Sequence, residues 1–336
     1  MQLLEALLIE MQNKVIYDWL SFTTKIHSLD GIIAFLGLVD IHFEEARGRY
    51  CYNDRLCYDG INIMYNGRDD MGICVEFSGQ GCRNFETFGT GDYQSIFDLI
   101  SENWSPDKDK RQMNITRLDV AYDDLIGVLD LNYLMMAAQK GEYVSRCEDI
   151  DVIFSNKGCS VCHGSRLSSN VYIRIYDKKL ERNRTDIDHW VRCEIKLKDD
   201  CARGFIGLGG DIRKNYFDVL NNYLRYITPS DDTNKRRAPT SVQWLNFIES
   251  WDSVSIFDKP GTSYNISNLG GYITSQLSGA ISTYINVVGL ETFCKDIVSS
   301  QREKQHKLNP KYQHILQTNG KSNDSILEFL RERGAE

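Results

Sequence analysis

The chain has 336 residues, and its 39 Lys and Arg against 47 Asp and Glu give a net charge of −8, which argues against a protein that is basic over its whole surface. At 42% hydrophobic residues it can bury a substantial core, and no apolar run reaches the ~20 residues that span a bilayer. We therefore expect a cytoplasmic protein of two or three domains, or of one large elaborated domain, with no membrane partner.

The N-terminal segment MQLLEALLIEMQ is predicted to form an amphipathic helix. It carries Glu5 and Glu10 within its apolar run, and it lacks the basic start and the small-residue cleavage site of an export signal. The ten cysteines follow no disulfide-framework spacing, so we expect them to be reduced thiols.

Hydrophobic periodicity predicts the elements of the first half of the chain. Strands are predicted at 15–24, 72–79 and 113–124, and helices at 92–104 and 129–143. Pro106 follows the first helix and Gly141 stands near the end of the second, and both residues are common just beyond a helix.

In the second half, strands are predicted at 171–178 and 188–200 and a helix at 211–227. The pattern after residue 241 is helical. The prediction is an α+β fold with a mainly antiparallel sheet, helices packed on one face of it, and a C-terminal helical domain. The predicted boundaries are an N-terminal α+β half at 1–112, a second α+β half at 113–227, a polar linker at 228–241 and the helical domain at 242–336.

A faint internal repeat runs through the α+β region. DWLSFT followed by CVEFSGQGCRNF parallels DVAYDD followed by CEIKLKDDCARGF. Two related halves that share one sheet would explain this pattern, and chance similarity between amphipathic strands would explain it equally well.

Three predicted strands each have one apolar face and one face of functional groups, because side chains alternate along a strand. The functional faces include Arg117, Asp119, Asp123, Tyr172, Arg174, Tyr176, Lys178, Arg192, Glu194 and Lys196. A solvated sheet face often carries mixed charges, but Thr, Ser and Gln are scarce here. This gathering is typical of a metal bound by carboxylates, a basic phosphate clamp and a tyrosine nucleophile.

The charge is unevenly distributed along the chain. Residues 1–160 carry 14 Lys and Arg against 26 Asp and Glu, whereas residues 161–336 carry 25 against 21. A polyanion is therefore expected to bind mainly through the second half.

These strands resemble those of the trans-acting Rep family, the replication initiators of rolling-circle plasmids and related phages and the similar relaxases of some conjugative elements. The matching stretches, in family order, are DWLSF, VEFSGQGCRNFE, TRLDVAYDD, GSRLSSNVYIRIYDKKLER, WVRCEIKL and DTNKRRAP. They cover most of residues 15–240. The resemblance implies sequence-specific nicking of one strand at an origin, with a tyrosine joined to the 5′ phosphate while the free 3′-OH primes synthesis.

The family tyrosine lies in the segment that matches RIYDKK, which points to Tyr176 as the nucleophile. Arg174 and Lys178 flank it, and Arg192 would add a bidentate phosphate contact. The carboxylates expected to hold Mg²⁺ or Mn²⁺ are Asp119 and Glu194, with Asp123 as the third choice.

Further DNA contacts are expected outside the tyrosine strand. Ser165 and Arg166 would hold backbone phosphate, with a plain turn as the alternative, and Tyr172 would pack or position DNA. The run Lys235, Arg236 and Arg237 would contact the origin duplex, with a solvated linker as the alternative. The implied partners are origin DNA, single-stranded or supercoiled duplex, a host helicase and DNA polymerase, and a second copy of the chain.

Several other interpretations stay open or are disfavoured. The CSVCH segment matches a haem-attachment spacing, but two free thiols at Cys159 and Cys162 are favoured over haem or zinc. None of the six histidines forms the H-x-H pattern of many rolling-circle nucleases. A non-catalytic nucleic-acid-binding sheet is the main alternative. A tyrosine recombinase is disfavoured because its Arg-His-Arg constellation has no match.

Overall fold

The structure, a computed structural model, describes residues 14–156, 158–230, 234–248, 273–274 and 278–304. The chain divides into two compact units, Met1–Asp258 and Lys259–Glu336. The predicted N-terminal amphipathic helix lies outside the described residues.

An antiparallel sheet of ten strands forms the framework of the first unit. The strands are β1 (Lys14–Thr24), β2 (Glu44–Arg47), β3 (Asp54–Tyr58), β4 (Ile61–Tyr65), β5 (Ile73–Phe77), β6 (Met113–Asp124), β8 (Ile150–Ser155), β9 (Gly158–His163), β10 (Val171–Asp177) and β11 (Val191–Lys198). Two short strands, β7 (Tyr143–Ser145) and β12 (Leu224–Tyr226), form a separate pair.

The helices of the first unit follow the strands in the chain. They are α1 (Leu29–Phe35), α2 (Gly79–Phe88), α3 (Tyr93–Asn103), α4 (Leu131–Gln139), α5 (Lys178–Glu181), α6 (Asp199–Ile206), α7 (Ile212–Tyr223) and α8 (Val242–Ile248). Asp92, Asp130 and Asp211 cap α3, α4 and α7, because each side chain accepts a hydrogen bond from a backbone N–H of the first turn.

The sheet is built from two halves with the same topology. Its strand order is β2-β3-β4-β5-β1-β6-β11-β10-β9-β8, so that β1 and β6 meet at the centre. Strand β5 lies beside β1 as β11 lies beside β6, and β4 lies beside β5 as β10 lies beside β11. Helix α2 follows β5 as α6 follows β11. The predicted pair of related halves sharing one sheet is therefore confirmed.

The apolar face of the sheet carries the helices and the hydrophobic core. Leu118, Val120 and Tyr122 of β6 are buried on this face. The Tyr122 ring contacts Phe217 of α7 and Phe247 of α8, with ring centroids 5.4 and 5.2 Å apart. Each such side chain stabilises the fold by about 1.5–3 kcal/mol when fully buried. The opposite face of the sheet is left for polar groups.

Two predicted helices end four residues earlier in the structure than expected. The helix predicted at 211–227 ends at Tyr223, and the next residues pair as β12 with β7. The helix predicted at 129–143 ends at Gln139. In both cases the chain beyond the helix enters the β7–β12 pair, which hydrophobic periodicity alone cannot distinguish from a further helical turn.

The first unit extends beyond the predicted linker. Thr240, within the segment 228–241, forms an antiparallel β-bridge with Ile227. Helix α8 buries Trp244 and Phe247 in the main core. Residues 242–248, assigned above to the C-terminal helical domain, thus lie in the first unit, because their aromatic side chains pack on its core.

The second unit, in its described residues, contains α9 (Ser278–Val288) and α10 (Leu290–Lys304). The Tyr284 hydroxyl donates a hydrogen bond to Asp296 at 2.7 Å, which joins the two helices. Across the described part of the whole chain, every helix is too short or too polar to cross a membrane.

Candidate active site

Strands β6, β11 and β10 lie side by side, so their polar residues form cross-strand rows on the face opposite the helices. The rows are Asp123–Arg192–Tyr176, Ala121–Glu194–Arg174 and Asp119–Lys196–Tyr172. The three functional faces predicted from the sequence therefore share one sheet and one side of it. Carboxylates, cations and tyrosines meet there because the register places them opposite one another.

Tyr176 is at the centre of this arrangement. Its hydroxyl donates a hydrogen bond to Glu194 Oε2 at 3.3 Å and accepts one from Lys178 Nζ at 3.1 Å. The Arg174 guanidinium lies over its ring, 4.0 Å from the ring centroid. A carboxylate that can take the phenolic proton and a cation that can stabilise the phenolate thus contact the same oxygen atom.

Lys178 reaches this oxygen atom from a helix and not from the strand predicted to carry it. Strand β10 ends at Asp177, whose side chain caps α5 by accepting a hydrogen bond from the Leu180 N–H. Lys178 begins that helix and is buried, and its ammonium group is also bonded to Glu181. The helical turn brings Lys178 back towards the hydroxyl of the tyrosine two residues before it.

The electrostatics of the site keep the Tyr176 phenol protonated. Tyr176 is 2% exposed, and burial together with the Glu194 carboxylate raises the pKa of its phenol, against the influence of Arg192. Burial, followed by repulsion from Asp119 and Asp18, raises the pKa of the Glu194 carboxyl to about 7. A carboxyl that titrates near neutral pH and accepts a hydrogen bond from the phenol is suited to receive its proton.

Asp119 lies on β6, beside the strand that carries Glu194, and is almost fully buried. Arg117 holds its carboxylate through two hydrogen bonds, one of them from Nε to Oδ1 at 2.9 Å. Burial raises the pKa of Asp119, although the bonds from Arg117 oppose this effect. Asp119 and Glu194 therefore form a pair of carboxylates that repel each other.

Asp123, expected as a third metal ligand, is bonded to other side chains of the protein. Its carboxylate accepts two hydrogen bonds from Arg192, each at 2.7 Å, and one from Trp190 Nε1 at 2.6 Å. In the described ranges between residues 14 and 304, no three or more His, Cys, Asp or Glu side chains are arranged to hold a metal. Within these ranges Asp119, Asp123 and Glu194 thus do not form a three-carboxylate site: Asp123 is bonded by Arg192 and Trp190, as Asp119 is bonded by Arg117.

Arg192 is a structural cation in this arrangement. It is buried, and its Nη1 lies 2.8 Å from Asp18 while its other nitrogen atoms bind Asp123. The bidentate phosphate contact expected of Arg192 would compete with both carboxylates. Its position next to Tyr176 still lets its charge lower the pKa of the phenol.

Asp18 is a site residue that the sequence reasoning missed. The pairing of β1 with β6 is irregular between Tyr17 and Trp19, and Asp18 lies within this irregularity. A β-bulge re-aims a side chain, so Asp18 and Trp19 both reach the polar face. The signal available in the sequence was the stretch DWLSF, one of those that carry the family resemblance.

A pocket of about 440 Å³ opens beside Tyr176 and Glu194. Cations from three strands and one loop line it: Arg117, Arg166, Arg174 and Lys196. Four carboxylates, Asp151, Asp177, Glu181 and Glu194, line it as well, so the pocket carries both charges, and its cations offer contacts to a phosphate backbone. Tyr172 also lines the pocket, and burial raises the pKa of its phenol as it does that of Tyr176, but among the described residues no lysine ammonium contacts its hydroxyl.

The turn before β10 contains the predicted residues Ser165 and Arg166. The Ser165 hydroxyl accepts a hydrogen bond from the Ser168 N–H, and the Ser165 N–H donates to the Ser169 hydroxyl. Ser165 thereby shapes the turn, and Arg166 is exposed at the edge of the pocket.

The basic run Lys235, Arg236 and Arg237 forms an exposed turn of 3₁₀-helix. The Lys235 ammonium donates to the carbonyl of Gly141, just beyond α4. None of the three residues lines the pocket beside Tyr176. The structure thus does not bring the run together with the tyrosine.

Cys159 and Cys162 stand on β9, three residues apart, and therefore point to opposite faces of the sheet. Both are free thiols. The geometry excludes a shared metal or haem at this pair, in agreement with the favoured interpretation.

Two family models match the chain over the two halves of this sheet. The family described as "Replication initiation factor" matches residues 113–298, which is more than half of the chain. The family described as "Rolling Circle replication initiation protein N-terminal domain" matches residues 14–102.

Two individual proteins are also similar. A protein of Bacillus subtilis (strain 168) named "Putative DNA relaxase NicK" is 28% identical over 262 residues, which cover 72% of this chain and 73% of that protein. The structure of a rolling circle replication initiator protein from Geobacillus stearothermophilus matches with a TM-score of 0.63 and 31% identity, over 70% of this chain and 96% of the other.

Proposed function

The chain belongs to the replication initiation factor family of rolling-circle replication proteins, and we propose that it nicks one strand of origin DNA by attack of Tyr176 on a phosphodiester. The observation that carries this proposal is the Tyr176 hydroxyl, held between the Lys178 ammonium and the Glu194 carboxylate. Such an arrangement of a nucleophile with a base and a stabilising cation is the usual way to activate a weak nucleophile.

In the proposed step, the Tyr176 oxygen bonds to phosphorus while the bond from phosphorus to the 3′ oxygen breaks. The phenolic proton passes to Glu194, and a proton is returned to the 3′ oxygen, which leaves as a hydroxyl group. The protein stays joined to the 5′ phosphate. Attack of a 3′-OH on this phosphotyrosine reverses the step and rejoins the strand, so neither direction needs ATP.

The side chains around Tyr176 then have distinct roles. Lys178 stabilises the phenolate as the proton leaves, and Arg174, Lys196 and Arg166 place positive charge along the pocket for the phosphates. Arg192 is a positioning residue, because it fixes Asp18 and Asp123.

The carboxylates of Asp119 and Glu194 would hold Mg²⁺ or Mn²⁺, with the ion replacing Arg117 at one oxygen of Asp119. Burial raises the pKa of both groups, and Asp119 raises that of Glu194 further, so a bound cation would relieve their repulsion. Mg²⁺ is commonly held by one or two carboxylates with phosphate oxygens and water, so two protein ligands suffice. When bound, such an ion supplies positive charge at the attacked phosphate.

The proposed partners follow from this step. Origin DNA is the substrate, and the free 3′-OH is a primer for a host DNA polymerase, with a host helicase to separate the strands. The non-catalytic alternative keeps the pocket as a surface for single-stranded nucleic acid.

Incubation with supercoiled origin plasmid and Mn²⁺ separates the two functions. We expect a nicked circle with protein attached to its 5′ end, and no nicking when EDTA is in excess. A protein that binds the plasmid but leaves every circle supercoiled would be a non-catalytic binder.

We also propose that Lys235, Arg236 and Arg237 contact the duplex away from the cleavage pocket, because all three are exposed and lie outside it. Replacing all three with Ala is expected to flatten the log–log dependence of duplex affinity on salt by up to about three units, since each phosphate contact adds about one. Cleavage of a short single-stranded oligonucleotide should not change. The double variant Lys108→Ala and Lys110→Ala, in the acidic half of the chain, is the control. An equal salt dependence of duplex affinity in both variants would mean that Lys235, Arg236 and Arg237 form a solvated linker that does not contact DNA.

A further inference from the structure

A second pocket, of about 480 Å³, opens on the same polar face in the N-terminal half of the sheet. Its floor is formed by β1 and β5, and residues of the segments 50–52 and 71–74 contribute to its walls. Arg117 of β6 lines both this pocket and the one beside Tyr176. The two pockets are thus neighbours on one surface, joined by a cation.

The repeated topology relates this pocket to the candidate active site. Glu76 is paired with Asn62 on β4, as Glu194 is paired with Arg174 on β10. Two residues further along β4, Met64 holds the place that Tyr176 holds on β10. The N-terminal half thus has the corresponding glutamate and a pocket, but it has Met64 where the other half has Tyr176. This combination fits a binding site and not a second cleavage site.

Glu76 is the carboxylate on the floor of this pocket. The residue is 4% exposed. The Tyr50 hydroxyl donates to its Oε2 at 3.3 Å, and the Arg49 guanidinium lies 4.0 Å from its Oε1, beyond hydrogen-bond distance. An ionised carboxylate has about four acceptor positions. These contacts leave Glu76 able to accept further hydrogen bonds from a ligand, as a buried carboxylate requires.

The walls of the pocket are aromatic and apolar. Trp19, Tyr50, Tyr52 and Met71 line it, and Tyr52, Met71, Met64 and Cys74 form a small hydrophobic cluster apart from the main core. The indole N–H of Trp19 is buried and, within the described residues, finds no acceptor. Such a pocket suits a ligand with a flat aromatic ring and hydrogen-bonding groups at its edge.

Tyr50 is an exposed tyrosine with an uncommon backbone conformation. It is 62% exposed, and both Tyr50 and Cys51 adopt left-handed backbone conformations, with φ of 55° and 69°. Such values are uncommon for residues other than glycine and are genuine outliers for bulky ones. Strain of this kind is retained where the surrounding structure needs it, often at ligand sites. Here it holds an aromatic ring at the pocket while its hydroxyl bonds to Glu76.

We infer that this pocket binds an unpaired guanine base of the cleaved strand, stacked on its aromatic walls and bonded to Glu76; the inference rests on the proposed DNA-nicking function. Guanine presents two adjacent N–H donors on its pairing edge, which match the two oxygens of a carboxylate. Adenine, cytosine and thymine each present one donor beside an acceptor, which a carboxylate repels.

The spacing of the two pockets suits a strand that occupies both. Glu76 and Glu194 are separated by three strand spacings across the sheet and about four residues along it, which places them on the order of 20 Å apart. A few nucleotides of extended single strand span this distance. Arg117, which is bonded to Asp119 and lies over the Trp19 ring, places a positive charge between the two pockets.

The test is an equilibrium binding measurement on the full chain in EDTA, so that no cleavage is required. The probes are a fluorescent twelve-residue oligo-dT, the same oligonucleotide with one central dG, and one with deoxyinosine there, which lacks the 2-amino group. We expect the dG probe to bind about ten-fold more tightly than oligo-dT, since a good bidentate contact discriminates by about 1–3 kcal/mol. The deoxyinosine probe should lose most of this preference.

Glu76→Gln should abolish the dG preference, while oligo-dT affinity stays the same or rises because a negative charge is removed, and the exposed Glu44→Gln is the matched control. Tyr50→Ala removes an exposed ring without opening the core and should weaken the dG probe selectively. A dG preference that survives in Glu76→Gln, or a wild-type protein that binds all three probes equally, would overturn the inference. Because nicking of origin plasmid is measured separately, failure of this inference can be distinguished from failure of the proposed function.

Discussion

Tyr176→Phe is expected to abolish nicking of origin DNA and formation of the covalent protein–DNA complex. The substitution removes the oxygen that attacks phosphorus and leaves the buried ring in place. Lys178 keeps its bond to Glu181, so no buried ammonium group is left without a partner. The lost hydrogen bonds should cost only about 1–2 kcal/mol of stability, and binding to single-stranded DNA should be retained.

Tyr172→Phe is the matched control for this variant. Tyr172 lies on the same strand and the same face, four residues before Tyr176, and it lines the same pocket. Its hydroxyl has neither the Lys178 nor the Glu194 contact, so we expect nicking to fall by a few-fold at most. Equal loss of activity in both variants would mean that the strand uses two tyrosines.

Glu194→Gln has the second large expected effect. Gln has nearly the same shape, but it cannot take the phenolic proton and is a poorer ligand for a divalent ion. We expect nicking to fall by about 10²–10⁴-fold, the range of a lost general base. DNA affinity should stay the same or rise, because the substitution removes one of the negative charges that line the pocket and repel phosphate. Asp151→Asn, in the same pocket, is the control and should remain active.

The stability of Glu194→Gln provides an independent check. Because the folded protein raises the pKa of Glu194 to about 7, above its ordinary value of 4.5, its ionisation destabilises the fold at pH 8 and no longer does so well below pH 4.5. In metal-free buffer, Glu194→Gln should therefore melt at the same or a higher temperature than wild type at pH 8, and this advantage should shrink towards pH 5. A variant that is inactive and also much less stable at pH 8 would point to a structural role for Glu194.

The central part of the site could be predicted because alternation along a strand is a local property. Regular alternation in β6, β10 and β11 placed Asp119, Glu194 and Tyr176 on one face before their partners were known. The sheet then added the register, which sets Tyr176 opposite Arg192 and Arg174 opposite Glu194. Register depends on pairing between distant segments, so it could not be derived from any one strand.

The departures from prediction have local causes. The alternating pattern of β10 continues to Lys178 in the sequence, but Asp177 caps a helix that begins there. Asp18 lies in a β-bulge, and a bulge leaves no trace in the hydrophobic pattern. Asp123 was counted with the metal ligands because strand faces show which groups are near but not which pair off. Strands such as β2, with the sequence EEAR, are short and polar, so their residues give no alternation signal.

The measurement that tests the central claim most directly is identification of the residue joined to DNA. The protein is incubated with Mn²⁺ and a single-stranded oligonucleotide that carries the nick site, the covalent complex is digested with trypsin and nuclease, and the linked peptide is sequenced by mass spectrometry. We predict a nucleotide attached to Tyr176, at the end of β10. Attachment to Tyr172, or a complex that persists in Tyr176→Phe, would contradict the assignment.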